Sequence, residues 1–179
     1  MYDNMPGWVD GTAQYLALVS SFVRDGDRVL DVGPGGGDTF SHTLKGRAME
    51  IVGLDPDERV LHNPTLDRAI VGYVERIPVP DSSFDAAVSS FAIEHIEDPE
   101  AAARELFRVL RPAGCFVFRT PNLWHYATIV SRLTPHWLHE KVANWVRGLP
   151  SSTALPQRTL YRCNTLRSIR RTFLSAGFS

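Results

Sequence analysis

Apolar positions along this chain follow two rhythms: short runs with strand character and longer stripes at helical spacing. The segments 28–32, 50–54, 69–72, 85–90 and 115–119 are short, rich in β-branched and aliphatic residues, and punctuated by Gly and Pro. Each is predicted as a strand. Between them lie helical patterns. Asp10 to Val23 carries Tyr15, Leu18, Val19, Phe22 and Val23 along one side, and Asp38 to Lys45 places Phe40 and Leu44 one turn apart. Asp98-Pro99 is a helix start, an Asp cap followed by Pro at the first helical position. Ala102, Leu106, Val109 and Leu110 then form an apolar stripe, which Pro112 and Gly114 end. A last helix is predicted from Asn164-Thr165, with Leu166, Ile169, Phe173 and Leu174 facing inward and Gly177 as its stop.

Strands alternating with helices imply a mostly parallel sheet covered on both faces. The fold class expected is therefore α/β, a Rossmann-like three-layer sandwich. Ligands of such sheets bind outside the carboxyl ends of the strands. Gly33, Asp55, the loop after Gly72, and Ser90 all fall at that edge.

The most informative stretch is Val29 to Gly37, V-L-D-V-G-P-G-G-G, in which an apolar run ends in a glycine turn. Glycine lets backbone approach a ligand closely and accepts positive φ. Strand, glycine turn and helix together present backbone N–H groups and a helix start to a nucleotide-like ligand. Asp55 follows Gly35 by twenty residues, at the end of the second strand, where a carboxylate can accept the hydroxyls of a ribose. Two cofactors compete for this site. A nicotinamide dinucleotide brings a pyrophosphate, which the carboxylates of Asp31 and Asp38 beside the turn would repel. A sulfonium amino acid suits them better, with Asp31 meeting its ammonium group. An oxidoreductase using the dinucleotide is kept as the alternative.

Asp31-x-Gly33-x-Gly35-x-Gly37 resembles motif I of the class I S-adenosylmethionine-dependent methyltransferases, in the group called the type 11 methyltransferase domain. Further blocks resemble the family in the same order. They are Ile77-Pro-Val-Pro-Asp-Ser-Ser-Phe-Asp85, Ser89-Ser-Phe-Ala-Ile-Glu-His-Ile96, and Glu105-Leu-Phe-Arg-Val-Leu-Arg-Pro-Ala-Gly114. The resemblance implies S-adenosylmethionine as cofactor, S-adenosylhomocysteine as product, and methyl transfer to a small-molecule acceptor, with O-methylation favoured. It also implies a cofactor cradle of Asp31, Gly33, Gly35, Gly37, Asp55, Pro56, Tyr73, Val74, Glu75 and Ser90.

The departures from the family pattern also carry information. Many relatives have G-D-A-E after the third strand, where the Asp meets the adenine amino group; this chain has Gly72-Tyr73-Val74-Glu75. Val74 keeps its N–H for the ring, Glu75 or a carbonyl is left as acceptor, and Tyr73 serves either as an adenine contact or as packing. His95, just past the fourth strand, is the candidate base for an acceptor hydroxyl, since imidazole exchanges protons near neutrality. The alternative is that it caps its turn. In some quinone-biosynthesis relatives a Glu three positions before Glu94 completes a metal trio with the Glu-His pair. That position is Phe91 here, so no metal is expected.

Composition narrows the reading without redirecting it. The chain has 179 residues, 44% of them hydrophobic, and a formal net charge of −1. One domain is expected, with 1–25 as an N-terminal cap helix, 26–120 as the cofactor-binding core, 121–163 as an aromatic-rich segment forming either a substrate lid or a helical pair buried against the sheet edge, and 164–179 as a final helix. Residues 1–9 are either a flap over the pocket or disordered. Without a basic block, nucleic acid is not an expected partner. Arg167, Arg170 and Arg171 read as a solvated helix face, and His136 with His139 lacks the companions a metal site needs. Cys115 and Cys163 form no metal or redox pattern, which with the absence of a signal or spanning segment points to the cytoplasm. Family members continue past Ala176-Gly177-Phe178 into two further strands, so the sheet is expected to lack its last two strands and to expose its fifth. Self-association through that open edge, or a catalytically silent partner role, follows as a further expectation.

Overall fold

A computed structural model describes residues 11–37, 43–122 and 159–179. The order of elements is α1 (Gly11–Phe22), β1 (Arg28–Val32), β2 (Glu50–Asp55), β3 (Arg68–Val71), β4 (Phe84–Ser90), α2 (Pro99–Val109), β5 (Leu110–Arg119) and α3 (Leu166–Ala176). The strands form one sheet in the order β3-β2-β1-β4-β5, and all four pairings are parallel. The strand order reverses at β1, and the connections that leave β1 and β4 run to opposite faces of the sheet, Leu44 packing on one and α2 on the other.

Alternation along the strands feeds two cores. Val29, Ile51, Ala86 and Val88 join Tyr15, Val19 and Val23 of α1 on one face. Leu30, Val52, Leu54 and Ala87 join Ala102, Leu106 and Val109 of α2 on the other, with Ile169 and Phe173 of α3 packed against them. The three layers expected from the sequence are thus present. Among the described residues no helix is long and apolar enough to cross a membrane.

Helix α2 is built as its sequence dictates. Asp98 accepts a hydrogen bond from the Ala101 N–H at 2.9 Å, and Pro99 opens the first turn. Its end differs from expectation. The helix stops at Val109, because Leu110 is extended and pairs with Phe84 in the sheet. Cys115 is the next residue in register, opposite Ala86, so Arg111 to Gly114 bulge out of the ladder. Gly114 is required there, since a Cβ would stand 2.9 Å from both Arg111 O and Asp85 O.

The expected inward faces of two helices change. Leu18 and Phe22 of α1 are 51% and 54% exposed, while Tyr15, Val19 and Val23 carry the packing. In α3, Leu166 and Leu174 face solvent, and Thr172 is the buried residue. The inward stripe of α3 is narrower than the apolar content of its sequence implies. Phe173 anchors it, stacked on Phe118 with centroids 5.4 Å apart and meeting Phe178 edge-on at 5.4 Å. Thr165 and Ser168 close the start of α3 with a capping box, and Gly177 ends it at φ +110°. The expected helix over 38–45 lies outside the described residues up to residue 42, and Thr43 to Arg47 form a tight turn. Residues 1–9 and most of the proposed lid, including Trp124, His125, Tyr126, His136, Trp137, His139 and Trp145, also lie outside them.

The contrast within α3 is measurable. Phe173→Ala should cost about 2 to 4 kcal/mol in urea unfolding, as large-to-small changes against a core do. Leu166→Ala should fall within about 0.5 kcal/mol, as exposed substitutions do. Equal losses would mean that α3 docks on a different face.

Candidate functional site

The glycine turn after β1 is held in place from the neighbouring strand. The Gly33 N–H donates to Leu54 O at 2.9 Å, and the Gly35 N–H donates to Asp55 Oδ2 at 2.8 Å. Asp55 Oδ1 accepts from the Asp57 N–H at 2.8 Å, so this buried carboxylate joins the turn to the bend after β2. Asn63 completes the clamp by donating from Nδ2 to Gly35 O at 3.1 Å, while its Oδ1 accepts from Thr65. The sequence reading expected free N–H groups here. The structure instead spends those of Gly33 and Gly35 internally, which leaves an incoming pyrophosphate neither donor. Asn63 was not foreseen; its one signal is the Asn-Pro pair that opens the turn at 63–65.

The turn depends on glycine at two positions. Gly33 sits at φ +76°, and a Cβ there would stand 2.4 Å from the Ala92 Cβ, so the loop after β4 closes directly over it. Gly35 sits at φ +55°, and among the described residues nothing lies within 4 Å of its Cβ direction. The buried Asp31 lies in β1 two residues before Gly33. A glycine turn flanked by two buried carboxylates suits a ligand that carries hydroxyls and a cationic nitrogen. Gly37, at φ +115°, is packed against Pro64 and Asn63.

Beside β2, the loop after β3 supplies the remaining cradle residues. Tyr73 is 67% exposed, beyond the end of β3. Val74 is buried. Glu75 Oε1 accepts from the Glu97 and Asp98 N–H groups at 3.1 and 3.3 Å, so this carboxylate braces the start of α2. Pro56 is exposed at the bend after Asp55.

The end of β4 brings Ser90, Phe91, Glu94 and His95 to the same edge. Phe91 takes φ +59°, a left-handed conformation costly for an aromatic residue, and is 49% exposed. His95 closes a single 3-10 turn over Ile93–His95 and is half-buried. Glu94 is buried, and its Oε2 accepts from the Thr120 hydroxyl at 2.9 Å. Burial pushes the Glu94 carboxyl above its ordinary range, against the opposing effects of its hydrogen bonds and of His95. Thr120 in turn accepts from Asn164 Nδ2 at 2.5 Å, and Glu94 O accepts from the Leu160 and Tyr161 N–H groups. Through these bonds the segment before α3 is fastened to the loop that carries His95.

Helix α1 closes the edge from the other face. The Tyr15 hydroxyl donates to Ser89 O at 2.7 Å, and burial together with the nearby Asp31 carboxylate pushes its phenol upward. Arg119, at the end of β5, donates from Nε to Ser90 Oγ at 2.7 Å and from Nη1 to Thr12 Oγ1 at 3.0 Å. Neither Tyr15 nor Arg119 was marked as a site residue, because in sequence one belongs to a stripe and the other to a strand end. Among the described residues no group of three metal-ligating side chains occurs.

Residues 30–118 match the family model described as a methyltransferase domain. Among curated relatives, the chain is 32% identical to a ubiquinone/menaquinone biosynthesis C-methyltransferase of Chromobacterium violaceum over 135 residues, covering 69% of this chain and 55% of that relative. It is 39% identical over 127 residues to the enzyme of the same name from Yersinia enterocolitica, covering 64% of this chain and 50% of that relative. The chain thus spans about half the length of these relatives. Among solved structures, the YcgJ protein of a Bacillus species superposes with a TM-score of 0.65 at 23% identity, over 94% of this chain and 69% of that one. At that identity the likeness speaks for the fold.

Two predictions follow from the site's packing. Gly33→Ala forces both a strained φ and a clash with Ala92, and should lower stability by about 2 to 4 kcal/mol in urea unfolding. A neutral result would mean that the loop after β4 does not close over the turn. Glu94 has a folded-state pKa raised above its ordinary 4.5. Its contribution to stability is therefore full below that value and is lost as pH rises through the folded pKa. Melting temperatures of Glu94→Gln and of the natural chain should accordingly diverge in the variant's favour as pH rises above the ordinary 4.5. A difference that does not change with pH would count against a proton-binding carboxyl at this position.

Proposed function

We propose that this chain, which belongs to the class I S-adenosylmethionine-dependent methyltransferase family, binds S-adenosylmethionine beside the glycine turn and passes its methyl group to a small-molecule acceptor at the carboxyl edge of the sheet. The observation that carries the reading is the clamp of Asp55 on the glycine turn. It sets a buried carboxylate beside that turn, with Asp31 buried in the adjacent strand. Each oxygen of Asp55 accepts one backbone N–H and retains a lone pair for a ribose hydroxyl. Asp31 provides the negative charge that a methionine ammonium calls for. The exposed Tyr73 ring and the Val74 N–H flank the position of an adenine. When bound, the sulfonium supplies an electrophilic methyl group, and the protein's task reduces to alignment and exclusion of water.

His95 is the group we assign to the acceptor. It stands in the turn beyond β4, and its imidazole takes the proton of an acceptor hydroxyl as that group becomes nucleophilic. Attack through the oxygen itself gives O-methylation, the reading favoured by a hydroxyl and a base. A second reading, attack through a ring carbon conjugated to the same hydroxyl, is favoured by the C-methyltransferase names of the relatives. Transfer of a carbon-13 methyl group, followed by NMR of the product, separates the two by whether the new methyl carbon is bonded to oxygen or to carbon.

Calorimetry checks the cofactor assignment directly. The chain should bind S-adenosylhomocysteine more tightly than NAD, and Asp55→Ala should weaken that binding by about 1 to 3 kcal/mol through loss of ribose hydrogen bonds. Tighter binding of NAD, or an Asp55→Ala variant with unchanged affinity, would overturn the reading.

A further inference from the structure

One charged side chain at the carboxyl edge has no use in the reading above. Arg119 is held by four contacts drawn from three elements. Nε donates to Ser90 Oγ of β4, and Nη1 donates to Thr12 Oγ1 of α1. The guanidinium carbon lies 4.5 Å from the centroid of the Phe91 ring and 5.0 Å from that of Tyr15. None of these partners is an anion. The contrast with other arginines is direct: Arg28 meets Glu50, Arg47 meets Asp25, Arg59 meets Asp57, and Arg108 meets both Glu105 and Asp81. Hydroxyls and ring faces immobilise Arg119, and among the described residues it forms no ion pair and its Nη2 has no partner.

Holding so flexible a side chain in one rotamer costs conformational entropy, and a brace between α1 and β4 does not need a full positive charge. A planar fork with unused donors fits a carboxylate. Phe91 adds an apolar wall at the same place, kept there at positive φ with about half its surface exposed.

We infer that Arg119 seats a carboxylate of the methyl acceptor, with the Phe91 ring as its apolar flank, which makes Arg119 a specificity-determining residue for an acidic, planar acceptor. This inference rests on the methyl-transfer reading. The carboxylate of the cofactor's own methionine is the other source of the same chemistry, and the experiment separates the two.

The purified chain is saturated with S-adenosylhomocysteine and titrated with benzoate and with its neutral isostere benzamide, following the nitrogen-15 resonance of Arg119 Nε. Benzoate should move that resonance and bind about tenfold or more tightly than benzamide, as a charge-assisted bond predicts. In Arg119→Met the preference should fall to within about twofold while affinity for S-adenosylhomocysteine stays within about twofold. Arg119→Lys keeps the charge without the fork, which guards against misfolding of the Met variant, and should lose at least about threefold of the preference. Equal binding of the two probes, or a preference that survives both substitutions, overturns the inference. A loss of about tenfold or more in affinity for S-adenosylhomocysteine in Arg119→Met would assign the residue to the cofactor's carboxylate and overturn the acceptor role. Failure of the natural chain to bind S-adenosylhomocysteine at all would overturn the cofactor reading first, and this inference with it.

Discussion

The hydrogen bonds of the Asp55 carboxylate set the geometry of the whole carboxyl edge. One oxygen takes the Gly35 N–H and the other the Asp57 N–H, so a single buried charge joins the turn after β1 to the bend after β2. A buried carboxylate without such donors would be costly, and a glycine turn without such an anchor would sample many conformations. Each removes the other's cost. The loop after β4 then has a defined surface to close upon, with Ala92 directly over Gly33. The glycine turn and the loop after β4 are thereby packed against each other at this edge.

A second layer of polar contacts joins the outer elements to this edge. Tyr15 fixes α1 to the Ser89 carbonyl, Arg119 ties Thr12 to Ser90, and Glu94 is linked to Asn164 through the Thr120 hydroxyl. These bonds lie at the carboxyl end of the sheet, while the apolar cores occupy its faces. Helix α1 and the start of α3 are thereby positioned relative to the reacting edge as well as packed on the sheet.

Much of this was legible in the sequence, for reasons that can be assigned to particular residues. The strands were readable because parallel strands buried on both faces appear as unbroken apolar runs, and the Asp98-Pro99 start of α2 because cap chemistry is local. The glycine turn and Asp55 were recognisable from their spacing. The long start of β5 was not, because Leu110 continues the helical stripe of α2 and only its partner Phe84 reveals it as a strand. Leu166 and Leu174 misled in the opposite sense, since apolar residues at the margin of a stripe do not announce which of them reach the core. Glu75 also braces the start of α2 through one of its oxygens, a partner 22 residues away that local pattern cannot supply. The roles of Arg119 and Thr12 were equally hidden, being separated by 107 positions.

The central place of β1 has a consequence during synthesis. It is the first of the described strands to leave the ribosome, and β2 follows to cover one side of it, with β3 adding to β2. Its other side waits for β4, whose Asp85 accepts from the Arg28 N–H across 57 residues. At ordinary translation speeds that interval lasts roughly 3 to 11 seconds. For that time the nascent chain carries a half-finished sheet with the apolar edge of Val29 to Val32 unpaired. The innermost strand of the finished protein is thus an edge strand while the chain is being made.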